Sequence, residues 1–122
     1  MAIGETMYYD KEGKEIEALA WGILLSREAY KRVAADTLKN GYRVSTVWLG
    51  IDHGFSGGPP LIFETIVLSG PPSWHEFDSY RHSTLKEARA GHIAMVKKWS
   101  KGVARKTPRK SRRGGAVKSV KA

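Results

Sequence analysis

Residues 42–51, YRVSTVWLGI, and residues 61–68, LIFETIVL, are the two most strand-like stretches of this chain. Both are rich in β-branched and aromatic side chains, which favour a pleated, half-buried backbone. Apolar side chains such as Val44, Val47 and Trp48 fall on both faces of the first stretch, so we predict that it occupies the centre of a sheet. Proline pairs on both sides of the second stretch mark its ends.

The segments next to these two strands complete the predicted sheet. Residues 33–38 are joined to the first strand through Asn40-Gly41, a pair that tolerates the positive φ angles of a tight hairpin turn. A competing interpretation continues an upstream helix through Leu38 and ends it at Gly41. Residues 77–82 predict a weaker strand after the two strong ones.

An amphipathic helix is predicted near the N-terminus, after a short strand-like run at residues 7–9 and a turn at residues 10–13. Ser26 is expected to cap a further helical turn that carries Tyr30. The apolar residues of the main helix recur at helical spacing and are expected to face the core: Ile16, Leu19, Ala20, Ile23 and Leu24.

The clearest helix follows the last predicted strand. Thr84 and Glu87 have the spacing of a capping box, in which each side chain bonds the backbone amide of the other residue. One helical face then carries Leu85, Ala88, His92, Met95, Val96 and Trp99. The predicted fold class is therefore α+β: an antiparallel sheet of three or four strands, packed by an N-terminal and a C-terminal helix.

Positive charge is confined to the C-terminal end of the chain. The 122 residues include 21 Lys and Arg and 12 Asp and Glu, for a net charge of +9. Residues 1–100 contain every acid and every aromatic residue, whereas residues 101–122 contain nine basic residues and no acid. A segment with so little to bury cannot offset the entropy lost on ordering. We predict a globular domain over residues 1–100 and a flexible basic arm over residues 101–122.

The arm predicts binding to a polyanion, because dense positive charge condenses on phosphate backbones whatever their sequence. We expect nucleic acid, or a host complex that carries nucleic acid, as the partner. A solvated tail without a partner is the alternative. A membrane surface is not expected, since no apolar anchor accompanies the charge. The predicted nucleic-acid-binding residues are Lys101, Arg105, Lys106, Arg109, Lys110, Arg112, Arg113, Lys118 and Lys121.

Composition excludes several classes of protein. The chain has no cysteine, which rules out a disulfide scaffold, a cysteine-based zinc ribbon and a thiol nucleophile. No apolar run approaches the ~20 residues of a membrane-spanning helix. The first residues have neither the basic flank nor the apolar stretch of a signal peptide. No metal-binding histidine spacing is present, so neither a metal nor a cofactor is predicted.

Several short motifs resemble those of one protein family. Residues 43–53 read RVSTVWLGIDH and residues 57–65 read GGPPLIFET, and shorter matches lie at Tyr9-Asp10-x-x-Gly13, residues 80–84 and residues 90–92. Together, over roughly residues 8–96, they resemble a family of small proteins of tailed bacteriophages and prophages. That family has no established activity, so the resemblance implies a phage setting and a bacterial host cytoplasm, and no catalytic residue. The basic arm departs from the family pattern.

The predicted meander brings one loop and one strand end to the same edge of the sheet. The loop between the two strong strands and the exit of the last strand meet there, beside the start of the C-terminal helix. Free amides at a helix start, flexible glycines and an arginine could form an anion cradle. The alternative is a structural turn whose Asp and His cap backbone amides. The candidate anion ligands are His53, Gly57, Gly58, Arg81, His82 and Thr84.

Catalytic candidates are few. His53 beside Asp52 could act as a general base with an orienting acid. Glu64 is the one acid inside an apolar strand, where burial could raise its pKa. The alternative for Glu64 is an ion pair across the sheet with Arg43 or Arg81. His92, on the apolar face of the last helix, is interpreted as a hydrogen-bonded core histidine.

Three functions stay open from the sequence. The first is a phage accessory protein that binds nucleic acid through its arm. The second is a counter-defence inhibitor that binds a host immune protein, or sequesters a nucleotide signal at the glycine-loop edge. The third is a small hydrolase that uses His53 with Asp52 or Glu64. No nucleophile motif supports the enzyme, and the sequence favours a binding role.

Overall fold

The fold is α+β. The computed structural model describes residues 6–52 and 57–104, except for the side chains of residues 102–104. Within these residues a four-stranded sheet is followed by one long helix and preceded by two short helices and a two-stranded hairpin. The elements, in chain order, are β1 (Tyr8–Tyr9), β2 (Glu15–Ile16), α1 (Ala18–Leu25), α2 (Glu28–Lys31), β3 (Arg32–Thr37), β4 (Arg43–Trp48), β5 (Phe63–Leu68), β6 (Glu76–His82) and α3 (Leu85–Ala104).

The main sheet is an antiparallel meander with the strand order β3-β4-β5-β6. The predicted central position of β4 is confirmed, since it pairs with β3 on one side and with β5 on the other. In the register, Trp48 lies opposite Phe63, and Phe63 lies opposite His82. The β4–β5 loop and the end of β6 therefore lie at the same end of the sheet, as the sequence predicted.

The hairpin between β3 and β4 is confirmed, but its turn differs from the predicted one. The amide of Gly41 donates to the carbonyl of Leu38 over 2.9 Å, and the amide of Leu38 donates to the carbonyl of Tyr42 over 2.7 Å. Among the described residues of this turn, only Gly41 has a positive φ, at 94°. The geometry is that of a three-residue loop with a bulge at the glycine. Asn40 contributes through its side chain, whose oxygen accepts from the Tyr42 amide over 2.9 Å.

One face of the sheet packs against α3. Side chains alternate along a strand, so every second residue of β4 and β5 points to this face. Those residues are completely buried, whereas the residues between them are only partly buried. No helix in the described part of the chain covers the second face. The buried, helix-facing residues are Val44, Thr46, Trp48, Phe63, Thr65 and Val67.

The core consists of two clusters along the length of α3. Near the end of the helix, Met95 packs with Leu38, Val44 and Val67. Near its start, Ala88 packs with a cluster of larger side chains that α1 and α2 help to cover. That cluster contains Trp48, Ile62 and Phe63, with Trp21, Leu24, Leu25 and Tyr30 packed against it.

The predicted apolar face of the N-terminal helix is wrong except at Leu24, which packs against the core. Leu19 is 76% exposed and Ile23 is 50% exposed, and Ile16 pairs with Tyr8 in the β1–β2 hairpin instead of opening the helix. Trp21 faces the protein instead, and its indole donates to the carbonyl of Leu49 over 2.9 Å. Since α1 reads ALAWGILL, apolar residues lie on every side of it, and helical spacing cannot select one face.

The short helix α2 exists and carries Tyr30, but Ser26 does not cap it. The residue at the N-cap position is Arg27, which makes no side-chain capping bond. The hydroxyl of Ser26 instead donates to the carbonyl of Ile23 over 2.7 Å, at the end of α1. Serine can satisfy free carbonyls as well as free amides, so its presence between two helices does not decide which helix it serves.

The capping box that starts α3 is confirmed. The amide of Glu87 donates to the hydroxyl of Thr84 over 3.0 Å, and the Glu87 carboxylate accepts from the amides of Thr84 and Ser83. The helix continues past Ser100 to Ala104. Residues 101–104, which charge alone assigned to the arm, are therefore helical, and the positive charge of Lys101 in the last turn is favourable for the helix dipole.

Candidate functional site

The loop edge brings together only part of the predicted anion cradle. Gly57 and Gly58 are exposed, and Thr84 lies beside them in the fold, since the hydroxyl of neighbouring Ser83 donates to the carbonyl of Pro59 over 3.3 Å. Asp52 caps the loop: its carboxylate accepts from the amide of Leu61 over 2.8 Å. This contact is the one expected of a structural turn. His53 lies outside the described residues.

The two amides that lead into α3, those of Ser83 and Thr84, already have an anionic partner. The Glu87 carboxylate accepts from the amides of Ser83 and Thr84, over 3.1 and 3.3 Å. The Thr84 hydroxyl accepts from the Glu87 amide. A second anion would have to displace or approach this carboxylate, which repels it. The helix start is therefore a poor place for a phosphate.

Arg81 and His82, both predicted in the cradle, lie on opposite faces of the sheet because they are consecutive on β6. Arg81 points to the face that α3 does not cover, where its guanidinium lies 3.3 Å from the Glu64 carboxylate. This contact selects one of the two ion pairs expected for Glu64. The pair is partly exposed, so water screens both charges and the ion pair contributes little to stability.

His82 is buried between the sheet and α3. Its imidazole packs directly on Gly91, where even a methyl group would overlap the ring. Burial lowers the pKa of His82, because an enclosed imidazole resists taking up a proton. A nearby carboxylate, Glu87, opposes this effect more weakly. His82 is therefore a neutral core residue at neutral pH, and its ring does not reach an anion at the loop edge.

The burial of His82 predicts a dependence of stability on pH. The unfolded chain takes up a proton on this imidazole near pH 6.5, whereas the folded protein resists it. Stability is therefore fully present above that pH and falls as the pH drops toward the lower folded value. Between pH 7 and pH 5, we expect the melting temperature of His82→Gln to fall less than that of the unaltered protein.

The exposed His75 supplies the control for this measurement. His75→Gln should keep the full pH dependence of the unaltered protein in the same thermal melts. An His82→Gln variant whose melting temperature falls as steeply as that of the unaltered protein would contradict the interpretation.

A chain of polar side chains, all buried except Asp36, crosses the interface between α3 and the sheet. Nε2 of His92 lies 2.7 Å from the Asp36 carboxylate, and its Nδ1 lies 2.7 Å from the hydroxyl of Thr46. That hydroxyl lies 2.6 Å from the hydroxyl of Thr65, which is 3.4 Å from Nε2 of His82. A neutral His92 that donates to Asp36 must accept from Thr46 at its other nitrogen. The interpretation of His92 as a hydrogen-bonded core histidine is confirmed.

This chain has the acid–base–hydroxyl order of a hydrolytic triad, with Asp36, His92 and Thr46 in the three positions. Thr46 is completely buried, however, so its hydroxyl has no route to a substrate. The network therefore satisfies polar groups inside the core. This network was not predicted from the sequence, although threonines at core-facing positions of two apolar strands, with a histidine on the facing helix, are the signal that such a network leaves.

The opposite end of the sheet, where α3 ends, carries a cluster of aromatic rings, which we call the aromatic end: Tyr42, Trp74, His75, Phe77 and Trp99. Phe77 stacks on Tyr42 and on Trp99, with centroid distances of 5.0 and 5.8 Å. The side-chain amide of Asn40 donates to the carbonyl of Trp99 over 3.2 Å and ties the β3–β4 turn to the helix. This cluster was not predicted from the sequence.

Positively charged groups surround the aromatic end. The Arg43 guanidinium lies 4.9 Å from the centre of the Trp74 ring. The ammonium of Lys98 lies 3.0 Å from the Asp78 carboxylate, which also accepts from the Trp99 indole over 3.1 Å. Burial alone opposes ionisation of Asp78, but the hydrogen bonds from Lys98 and Trp99 outweigh it and lower the pKa of this carboxyl. Asp78 is thus a bound, neutralised anion that holds the end of α3 against β6.

Of the nine predicted nucleic-acid-binding residues, only Lys101 lies in the described part of the chain. It is exposed in the last turns of α3, at the aromatic end of the molecule. The remaining eight lie outside the described residues: Arg105, Lys106, Arg109, Lys110, Arg112, Arg113, Lys118 and Lys121.

Across residues 6–52 and 57–104, no three histidine, aspartate or glutamate side chains gather as a metal-binding group. None of the helices in the same ranges is long and apolar enough to cross a lipid bilayer. Comparison of the chain with protein-family models, with curated proteins and with solved structures finds no match in any of the three.

Proposed function

We propose that this chain is a small nucleic-acid-binding protein of a bacteriophage, which acts in the host cytoplasm through its basic C-terminal arm. The observation that carries the proposal is the concentration of nine basic residues and no acid in residues 101–122, against a formally neutral remainder. Counterion release makes such a segment bind phosphate backbones strongly and without sequence preference.

The position of α3 supports this proposal. The helix is 20 residues long and is fixed to the sheet along its length, from Ala88 to the Trp99 contacts with Asn40 and Asp78. It leads directly into the basic segment at one end of the domain. A rigid domain thus presents the arm at a defined place, and a nucleic acid held by the arm would lie beside the aromatic end.

The other two functions receive less support from the described residues. Arg81 is paired with Glu64, His82 is buried, and the amides of Ser83 and Thr84 are occupied by the Glu87 carboxylate. These contacts weaken both a nucleotide cradle at the loop edge and a hydrolase that would use Glu64. A counter-defence role through a host immune protein stays a prediction of the phage resemblance.

The salt dependence of binding tests the proposed function. If the arm engages most of its charges on duplex DNA, the slope of log K against log salt should be about −4 to −6. Fluorescence anisotropy with a labelled duplex at several salt concentrations measures this slope. A slope near zero, or no binding at low salt, would contradict the proposal.

Matched charge removals show whether the arm carries the effect. Neutralising Arg109, Lys110 and Arg112 to glutamine should make the slope less steep by about 3. The control neutralises Lys14, Lys86 and Arg89, three exposed basic residues of the folded domain, and so changes the net charge equally. The slope of the control should stay that of the unaltered protein. Equal effects of the two triple variants would show that net charge, and not the arm, governs binding.

A further inference from the structure

We propose that Trp74 and Phe77 form a stacking platform for the bases of single-stranded nucleic acid. The inference rests on the proposed function and specifies the class of nucleic acid: the arm supplies attraction to any phosphate backbone, and the platform selects unpaired bases. Aromatic side chains that stack on bases, next to a positively charged segment, are the usual basis of single-strand binding.

Both rings are exposed, although each is large enough to be a core residue. Trp74 is 46% exposed and Phe77 is 42% exposed. Burial of a side chain of this size would stabilise the protein by ~2 kcal/mol or more. Trp48 and Phe63, by contrast, are completely buried. Two exposed rings at the end of the β5–β6 hairpin where the basic arm begins indicate a surface that meets a ligand.

The turn that carries Trp74 is held in place by the neighbouring backbone. The amide of Trp74 donates to the carbonyl of Gly70 over 3.0 Å, and the amide of Ser69 donates to the carbonyl of His75 over 2.8 Å. Gly70 packs against the carbonyl of Gly41, so the turn rests on the β3–β4 hairpin. Trp74 itself has a φ of 50°, a left-handed conformation that is uncommon for so large a residue. The ring is therefore positioned before any ligand arrives.

The partners of the two rings also suit base stacking. Arg43 holds its guanidinium over one face of the Trp74 ring, 4.9 Å from its centre, so a base would stack on the opposite face of an indole that already carries a positive charge behind it. Phe77 lies nearly parallel to Tyr42 and to Trp99, at interplanar angles of 21° and 27°. A base on Phe77 would extend a stack of rings that already exists, and little side-chain entropy would be lost.

The spacing of the rings fits neighbouring bases on one strand. Trp74 and Phe77 are three residues apart, so their Cα atoms lie within about 11 Å of each other even if the segment is fully extended. The same end of the domain carries the exposed cation Lys101. It also carries two acids, Glu76 and Asp78, of which Asp78 is neutralised by Lys98. A duplex offers no free base faces to the rings, so the platform distinguishes single strands from duplexes.

Binding of the full chain to a labelled single strand of about 20 thymidines, and to a duplex of the same length, tests the inference. Trp74→Leu should weaken single-strand binding by about 5- to 150-fold, the range found when a base-stacking ring is removed. Phe77→Leu should have a similar effect. Duplex affinity and the salt slope should stay unchanged in both variants, because neither substitution removes a charge.

Tyr80→Leu is the matched control. Tyr80 lies on β6 as Phe77 does and is 64% exposed, but its ring is beside His82, toward the other end of the sheet. This variant should bind both oligonucleotides as the unaltered protein does. Trp74→Leu leaves the Phe77 stack intact, so it keeps the test decisive if Phe77→Leu lowers the melting temperature.

The outcomes separate this inference from the proposed function. If the unaltered chain binds neither oligonucleotide, the proposed function fails and the platform fails with it. In a second case, the unaltered chain binds both oligonucleotides, and neither Trp74→Leu nor Phe77→Leu weakens single-strand binding more than Tyr80→Leu does. The arm then binds nucleic acid without the rings, and the platform is overturned. Selective loss of single-strand binding supports the platform.

Discussion

Removal of residues 105–122 should lower the affinity for nucleic acid by at least about 10³-fold at 50 mM salt, while the domain stays folded. The deletion takes eight of the nine basic residues of the arm and leaves α3 complete to Ala104. In a protein that makes six or more phosphate contacts, those contacts raise the affinity at low salt by several powers of ten. The melting temperature should change little, because the deleted segment contains no aromatic residue.

Anisotropy titrations and thermal melts of the chain truncated after Ala104 check both parts of this prediction. A full-length variant with the residues of the arm in scrambled order is the control, and it should bind as the unaltered protein does, since the interaction depends on charge and not on sequence. Equal affinity of the truncated and full-length proteins would contradict the role of the arm. A large fall in melting temperature would show that the arm packs on the domain.

Replacement of Gly50 by alanine should destabilise the domain by about 2–5 kcal/mol. Gly50 has a φ of 75°, and a methyl group there would lie 2.6 Å from atoms of both Trp21 and Trp48. Two effects therefore add: the left-handed conformation itself, worth about 1–2 kcal/mol, and overpacking against rigid core rings, typically about 1–3 kcal/mol. For a domain of this size, the melting temperature should fall by about 10–30 °C.

Gly13 provides a control that separates these two effects. It has a φ of 85°, close to that of Gly50, but nothing lies within 4 Å of the position where a methyl group would be. Gly13→Ala should therefore show the conformational effect alone, and its melting temperature should fall much less. If the two variants melt at the same temperature, the close packing of Trp21 and Trp48 around Gly50 does not contribute to stability.

Gly50 also explains why the N-terminal segment belongs to the same domain as the sheet. Its carbonyl accepts from the amide of Tyr9, and its amide donates to the carbonyl of Ile62. The indole of Trp48 donates to the carbonyl of Tyr9 over 3.1 Å. The β1–β2 hairpin is thus anchored at the loop end of β4, and a side chain at Gly50 would separate the two.

Residue identities alone predicted which residues lie at the loop edge of the sheet, but not where their side chains point. The meander placed Asp52, Arg81 and Thr84 at one end of the sheet, and the structure has them there. The direction of each side chain depended on its neighbours. Arg81 contacts Glu64 on the face that α3 does not cover, and His82 points toward α3 and packs on Gly91. A charge next to a glycine-rich loop indicates an anion site only if no protein carboxylate reaches that charge first.

The aromatic end could not have been predicted from local pattern. Tyr42, Phe77 and Trp99 come from three elements that are far apart in the sequence, and nothing in their spacing indicates that they stack. Trp74 lies between the Pro71-Pro72 turn and strand β6, where an exposed loop residue is the ordinary expectation. Its contact with Arg43 depends on the close approach of the two hairpin turns at Gly41 and Gly70.

The sequence by itself determined the strands β4 and β5, the capping box that starts α3, the buried face of that helix, and the separation of charge between domain and arm. These features depend on residues that are close in the chain, so periodicity, capping chemistry and composition report them directly. Tertiary structure alone decided which face of α1 packs against the core and which partner Glu64 takes. It also decided that five polar side chains form one network: Asp36, His92, Thr46, Thr65 and His82. Those outcomes depend on which side chains meet across the sheet and helix, and such contacts are fixed only when the whole core packs.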